Sequence, residues 1–216
     1  MDILSKLFGS AARVKLMRLF LLNPDLVLDK GTLARRVNVL AAAAGRELRL
    51  LERAGFLRRK TTIMETKSQG SKKTVWKRSA GWSLNQHFVY LNSVRTLLIS
   101  AVIVKDEDLL RRLSRGGNIK LVLTAGIFVN NPESRVDLLV VGDRLKRKIL
   151  DAAIRSLEAE IGVELKYTIM ETAEFQYRLS ICDKLIRDII EYPHRSVLDK
   201  LGVHLFAPHL SLPRPV

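Results

Sequence analysis

Arg46-Glu47-Leu48-Arg49-Leu50-Leu51-Glu52-Arg53-Ala54-Gly55-Phe56-Leu57 decides how the front of this chain reads. Leu48 and Leu51, preceded at helical spacing by Leu40 and Ala44, make one apolar stripe, and Arg46, Arg49 and Arg53 fall on the other side. Gly55 is the residue best able to take the left-handed conformation that stops a helix, so the helix is expected to end at Ala54. Beyond it, residues 56–64 and 74–78 are rich in Thr, Val, Ile and Trp and flank a polar tip at 67–73 that contains Ser and Gly. That pattern predicts a β-hairpin.

Working outward, Ala11–Leu22 carries Val14, Met17 and Leu21 on one stripe, widened by Leu16 and Phe20, with Arg13, Lys15 and Arg18 interleaved. Asn23-Pro24 is its natural stop. A shorter helix fits Lys30–Arg36, with Leu33 inward and a break at Asn38. The first 85 residues hold 18 lysines and arginines against 6 acids, and the remainder holds 19 against 16. Most of the formal charge of +15 therefore belongs to three helices and a basic hairpin, a scaffold suited to meet a phosphate backbone.

Residues 46–57 resemble the recognition-helix end and first wing strand of winged helix-turn-helix transcriptional regulators, in which a Leu-x-x-Leu-Glu-x-Ala-Gly-Leu run recurs. The resemblance covers about the first third of the chain. It implies a third helix laid in the major groove of DNA and a wing touching an adjacent run of phosphates. The DNA-binding residues it points to are Arg35, Arg36, Arg46, Arg49, Arg53, Lys67, Lys72 and Lys73. Arg46 and Arg49 suit base edges or flanking phosphates, because a guanidinium bonds guanine bidentately. The hairpin lysines suit phosphates, where charge positions a protein without specifying sequence. The leading end of the helix reads Ala41-Ala42-Ala43-Ala44-Gly45, which leaves base readout to Arg46, to thymine methyl contacts or to DNA shape.

Composition is that of an ordinary soluble globular chain, 47% hydrophobic and 27% charged. No run approaches the roughly 18 apolar residues of a membrane span, and the start lacks an apolar core with a small-residue cleavage site. A cytoplasmic location with no membrane partner is expected. The single cysteine, Cys182, excludes an intrachain disulfide and is placed with Phe175, Leu179, Ile186 and Ile189 on one buried helical stripe. His87, His194, His204 and His209 fall in no metal-ligand spacing, so neither a metal nor a cofactor is expected.

Residues 88–104 form an apolar helical run with Phe88, Leu91, Val94, Leu98 and Ala101 at helical spacing. We read it as a connector, and its apolar surplus as the contact of a homodimer. A short helix over 106–113 ends at Gly116-Gly117. Strands are then expected over 119–124, 136–141 and 163–169, helices over 145–161 and 172–192, and an extended tail after Gly202 with Pro208, Pro213 and Pro215. The chain thus reads as α+β: a front domain over 1–85, a helical connector over 86–116, and a mixed-sheet α/β domain over 117–216.

Ala125-Gly126-Ile127, the irregular stretch 128–134 and Arg135-Val136-Asp137-Leu138-Leu139-Val140-Val141-Gly142 resemble the nucleotidyltransferase core of the polymerase β type. That family has a Gly-Ser turn, a loop, and Asp-x-Asp followed by an apolar strand. The resemblance implies carboxylates that hold Mg²⁺ against a triphosphate gripped by the turn. Ile127 stands where the family has serine and Arg135 where it has the first aspartate; Asp137 remains, with Glu164 the nearest candidate for a third carboxylate. Asp137 beside Arg135 reads as a salt bridge. The expectation is a non-catalytic domain with a degenerate nucleotide pocket at Gly126, Arg135 and Asp137, serving a small-molecule or nucleotide ligand or dimerisation. Arg144, Lys146, Arg147 and Lys148 open the next helix as a phosphate-holding group or a solvated turn, and Asp183 with Arg187 fits an intrahelical pair.

The leading expectation is a DNA-binding transcriptional regulator. The alternatives are an active nucleotidyltransferase that holds its substrate with the front domain, and a nucleic-acid-binding adaptor without sequence choice, which the alanine run encourages.

Overall fold

The computed structural model describes residues 3–67, 74–100, 104–129, 131 and 134–203. Helices and strands are mixed and fall into two compact units, Met1–Ile103 with Ser156–Val163, and Val104–Arg155 with Glu164–Val216.

The first unit contains α1 (Ile3–Leu7), α2 (Ala11–Leu22), α3 (Lys30–Arg36), α4 (Ala41–Arg53), β1 (Leu57–Lys67), β2 (Thr74–Leu84) and α5 (Leu91–Ser100). Local capping groups set several of these helix ends. Ser10 accepts the Arg13 N–H at 3.2 Å to open α2, and the backbone and side-chain N–H groups of Asn23 return to the Leu19 carbonyl at 3.1 and 2.8 Å to close it. Asp29 opens α3 by accepting the N–H groups of Gly31 and Thr32 and the Thr32 hydroxyl, at 2.7, 3.0 and 2.7 Å. Burial alone would raise the Asp29 pKa, but these hydrogen bonds outweigh it and hold the carboxyl below its ordinary 3.8. Gly55 takes φ +79°, which lets the N–H groups of Gly55 and Phe56 close on the Glu52 and Leu51 carbonyls and end α4.

Leu16, Phe20, Leu33, Leu48, Leu51, Phe56 and Leu84 form the core of this unit. Leu40 does not join them: it lies ahead of α4 in extended conformation and is 81% exposed, because helical periodicity cannot reach a residue outside the helix. Arg18 moves the other way. Although spaced like a surface cation, it is buried, and its Nε and Nη1 donate to the carbonyls of Leu98 and Glu160 at 3.2 and 3.3 Å.

β1 and β2 pair antiparallel from Leu57↔Leu84 to Lys67↔Thr74, so the second strand runs six residues past the expected Arg78. Leu28 exchanges backbone hydrogen bonds with Trp82, at 3.0 and 3.3 Å, an addition the local pattern did not announce. The expected connector is divided. Phe88, Leu91, Val94 and Leu98 pack on the core of the first unit, with the Phe88 ring edge-on to Phe56 at 5.6 Å, whereas residues 104–116 belong to the second unit. Ala101 lies outside the described residues.

The second unit holds α6 (Asp106–Leu113), β3 (Asn118–Thr124), β4 (Leu138–Asp143), most of α7 (Arg147–Ile161), β5 (Tyr167–Glu171), α8 (Thr172–Ser180), α9 (Lys184–Glu191) and β6 (Arg195–Asp199). The sheet order is β5-β4-β3-β6, with β4 and β5 parallel and the other pairs antiparallel. Leu121, Leu123, Leu139, Val141 and Met170 pack with Phe175, Ile186, Ile189 and Ile190 on one face. Val122, Leu138 and Val140, of opposite parity, are equally buried, so both faces are covered, as continuous apolar strands require.

Several expectations fail here. The helix over 172–192 is broken: Cys182 takes φ +51° and is exposed rather than buried, and Asp183 caps α9 through the N–H groups of Leu185 and Ile186. Asp183 therefore does not pair with Arg187, which reaches Glu191 at 3.7 Å. The third strand starts at Tyr167, leaving Glu164 exposed ahead of it. β6 is an unforeseen fourth strand, tied to α6 by Arg195 and Asp106 at 2.8 Å. The tail beyond residue 203, with its prolines, lies outside the described residues.

Candidate nucleic-acid interface

α3 and α4 meet across a turn in which Asn38 takes φ +52°. They approach closely at Gly45, which is buried and where an added Cβ would lie 3.1 Å from the Cδ of Lys30. At 3.6 residues per turn, Ala42, Arg46, Arg49 and Arg53 fall within about 60° of the circumference of α4. All four are exposed, opposite the buried Ala44, Leu48 and Leu51.

The arginines line an open groove with Arg13, Glu47, Leu50, Glu52 and Arg59. Its two acids are already engaged. Glu47 accepts from Arg13 Nε at 2.8 Å, and Arg13 is further held by the Phe8 carbonyl. Glu52 accepts Arg59 Nε on both oxygens at 3.1 Å and Trp82 Nε1 at 2.9 Å, while the Arg59 guanidinium stacks 3.7 Å above the Trp82 ring. Arg46, Arg49 and Arg53 have no carboxylate partner among the described residues. The groove thus presents three uncompensated guanidinium groups on one rigid helix face.

Of the other expected contacts, Arg35 is exposed and donates to Thr32 Oγ1 at 3.2 Å, and Arg36 is half-buried. The Lys67 side chain, Lys72 and Lys73 lie outside the described residues. Sequence reasoning missed Arg13, Arg59 and Trp82. Their roles come from contacts between α2, α4, β1 and β2, and no spacing within one element signals them.

In the second unit, Gly126 and Asp137 are brought together and Arg135 is not. Asp137 is 4% exposed, and its two carboxylate oxygens accept the N–H groups of Ile127 and Lys166 at 3.0 and 2.8 Å. Gly126 takes φ +55° with a Cβ excluded by that carboxylate. The expected Asp137–Arg135 salt bridge is replaced by this backbone cradle, because the carboxylate points inward. Arg135 instead pairs with Asp188 at 3.4 Å beside a cleft of about 290 Å³ that Lys184 and Tyr192 also line. At the start of α7, Arg147 donates to the Ile169 carbonyl at 3.1 Å, and Arg144, Lys146 and Lys148 are exposed. Among the described residues, no group of three or more His, Cys, Asp or Glu side chains is placed to hold a metal ion. No helix among them is long and apolar enough to cross a membrane.

Neither the protein-family models, the curated proteins nor the solved structures compared with this chain match it.

Proposed function

We propose that this protein is a DNA-binding transcriptional regulator in which α3 and α4 act as a winged helix-turn-helix and the β1–β2 hairpin as its wing. The observation that carries this reading is the exposed row Arg46, Arg49 and Arg53, left uncompensated because Arg13 and Arg59 occupy the two acids found among the groove's described residues. A solvated helix face is ordinarily laced with opposite charges; this one segregates them. Phosphate contacts supply the affinity, and their loss is read directly from salt dependence.

The second unit serves in this reading as a non-catalytic, nucleotidyltransferase-like module for ligand sensing or self-association. Supporting this, Asp137, the one retained acid of the motif, has both oxygens occupied by backbone donors. The cleft beside Arg135 and Lys184 is its candidate ligand site.

The test is fluorescence anisotropy of a labelled duplex over a range of salt concentrations. The wild-type protein is expected to bind with a steep log–log salt slope. The triple variant Arg46→Ala/Arg49→Ala/Arg53→Ala, its fold checked by circular dichroism, should lose about 0.9 of that slope for each arginine that meets a phosphate. An unchanged slope and affinity would remove the assigned face.

A further inference from the structure

We infer that the leading end of α4 reads thymine 5-methyl groups, so that the favoured ligand is duplex DNA with A·T pairs beneath Leu40 and Ala42. This rests on the DNA-binding reading above and adds its specificity.

Leu40 is a large aliphatic side chain, 81% exposed, at the N-cap of α4, where it makes no capping hydrogen bond. Ala41 and Ala42 follow it and are also exposed. A single exposed leucine on a protein surface requires no explanation. This one sits at the end of the helix whose exposed face is otherwise lined with arginine, and Ala42 continues that face in line with Arg46, Arg49 and Arg53. A polyanion drawn to the arginines is therefore brought against an apolar tip.

Distances along the helix divide the labour. At 1.5 Å per residue, Arg46 stands about 6 Å from Ala42 and Arg53 about 16 Å. The major groove is about 12 Å wide. With Ala42 over the base edges, Arg46 is the arginine of the row nearest to them, and Arg53 lies out at a phosphate. The tip itself carries no donor or acceptor beyond the backbone. Over either base pair it would desolvate three polar groups without replacing their hydrogen bonds, O6, N7 and the cytosine amino group for G·C and N7, N6 and O4 for A·T, so that penalty is shared. Over A·T the thymine C5-methyl offers an apolar partner, and the methyl-sized alanines allow the helix backbone to come close to it. The methyl is therefore what separates the two pairs beneath this tip.

The probes are alternating poly(dA–dT), alternating poly(dA–dU) and alternating poly(dG–dC) duplexes of equal length, bound to the full chain at one fixed salt concentration. Uracil keeps the pairing and the minor-groove pattern and lacks only the methyl. We expect affinity to fall from the thymine to the uracil duplex by about fourfold for each contacted methyl, the value of burying one such group, and poly(dG–dC), which also lacks the methyl, to bind no better than the uracil duplex. Leu40→Ser, at an exposed position outside the core, should shrink the thymine–uracil difference and leave the salt slope intact. Equal, salt-dependent binding to the thymine and uracil duplexes would overturn the methyl readout and leave the DNA-binding reading standing. Full thymine–uracil discrimination by Leu40→Ser would overturn the role given to Leu40. Failure to bind any duplex would overturn both readings.

Discussion

The two units treat charge in opposite ways. In the second, several cations are paired close to home, Arg135 with Asp188, Arg178 with Glu174 and Asp183, Arg187 with Glu191, and Arg195 with Asp106, while Arg144, Lys146 and Lys148 stay exposed. In the first, the same interaction is used selectively, at Arg13–Glu47 and Arg59–Glu52, and it removes the acids from a groove whose remaining arginines are left facing outward. The contrast shows that net charge alone is a coarse indicator. What distinguishes a binding face from a solvated one is where the opposite charges are tied down, and here they are tied at the margins of α4 rather than along its exposed row.

Substitutions should therefore separate the two roles, and the largest effect is expected where a charge is wholly internal. Asp137→Ala leaves the N–H groups of Ile127 and Lys166 without acceptors in a site that is 4% exposed. At about 1–3 kcal/mol for each unsatisfied buried group, a loss of about 2–6 kcal/mol in unfolding free energy is expected, read by urea denaturation. The triple arginine variant measured alongside should show no comparable shift, since those side chains make no ion pair among the described residues. If Asp137→Ala proved as mild as the arginine variant, the distinction between internal and offered charge would collapse.

A smaller change tests the margin of the groove. Glu52→Gln keeps the shape and an acceptor for Trp82 Nε1 but removes the charge that holds Arg59. Because both partners are partly exposed, a stability loss of about 1 kcal/mol or less is expected. Duplex affinity at low salt should move the other way and rise, because the groove loses an anion and Arg59 is released. A fall in both quantities would mean that Glu52 supports the interface mainly by fixing the hairpin to α4, and the electrostatic account would yield to a geometric one.

Most of the first unit was legible because its helices carry their own boundaries: Asn23-Pro24, Asn38 and Gly55 fix stops that no long-range contact needs to supply. The row Arg46, Arg49 and Arg53 was legible for the same reason, being a matter of spacing within one helix. Leu40 was misplaced because its spacing from Ala44 is helical although the helix has not yet begun. The break between α8 and α9 was hidden by an apolar spacing that runs unbroken through Cys182, and only the capping action of Asp183 reveals it. β6 was missed because Arg195–Asp199 has a single fully buried position, Val197, and is held as a strand by β3. The inward turn of Asp137 was illegible for a related cause, as its donors come from residues 127 and 166.

The smallest expected effect concerns Asp29, whose titration is displaced. Asp29 caps α3, and with the carboxyl held below its ordinary 3.8 in the folded state, ionisation favours folding. That contribution is fully present above the ordinary value. It shrinks as pH falls through 3.8 toward the lowered folded value, and is gone below it. Its size should be that of a helix cap, about 1 kcal/mol or less. Asp29→Asn retains an oxygen for the Gly31 and Thr32 N–H groups and cannot titrate, so the difference between wild-type and variant unfolding free energies isolates the carboxylate from every other acid in the chain. That difference should diminish with acidification across this window and be flat above about pH 5.5, well clear of carboxylate titration. A difference that persisted unchanged to low pH would show that the charge on Asp29 is not what holds α3 in place. The capping would then be a matter of hydrogen-bond geometry alone, and the selective use of acids in the first unit would rest on Glu47 and Glu52.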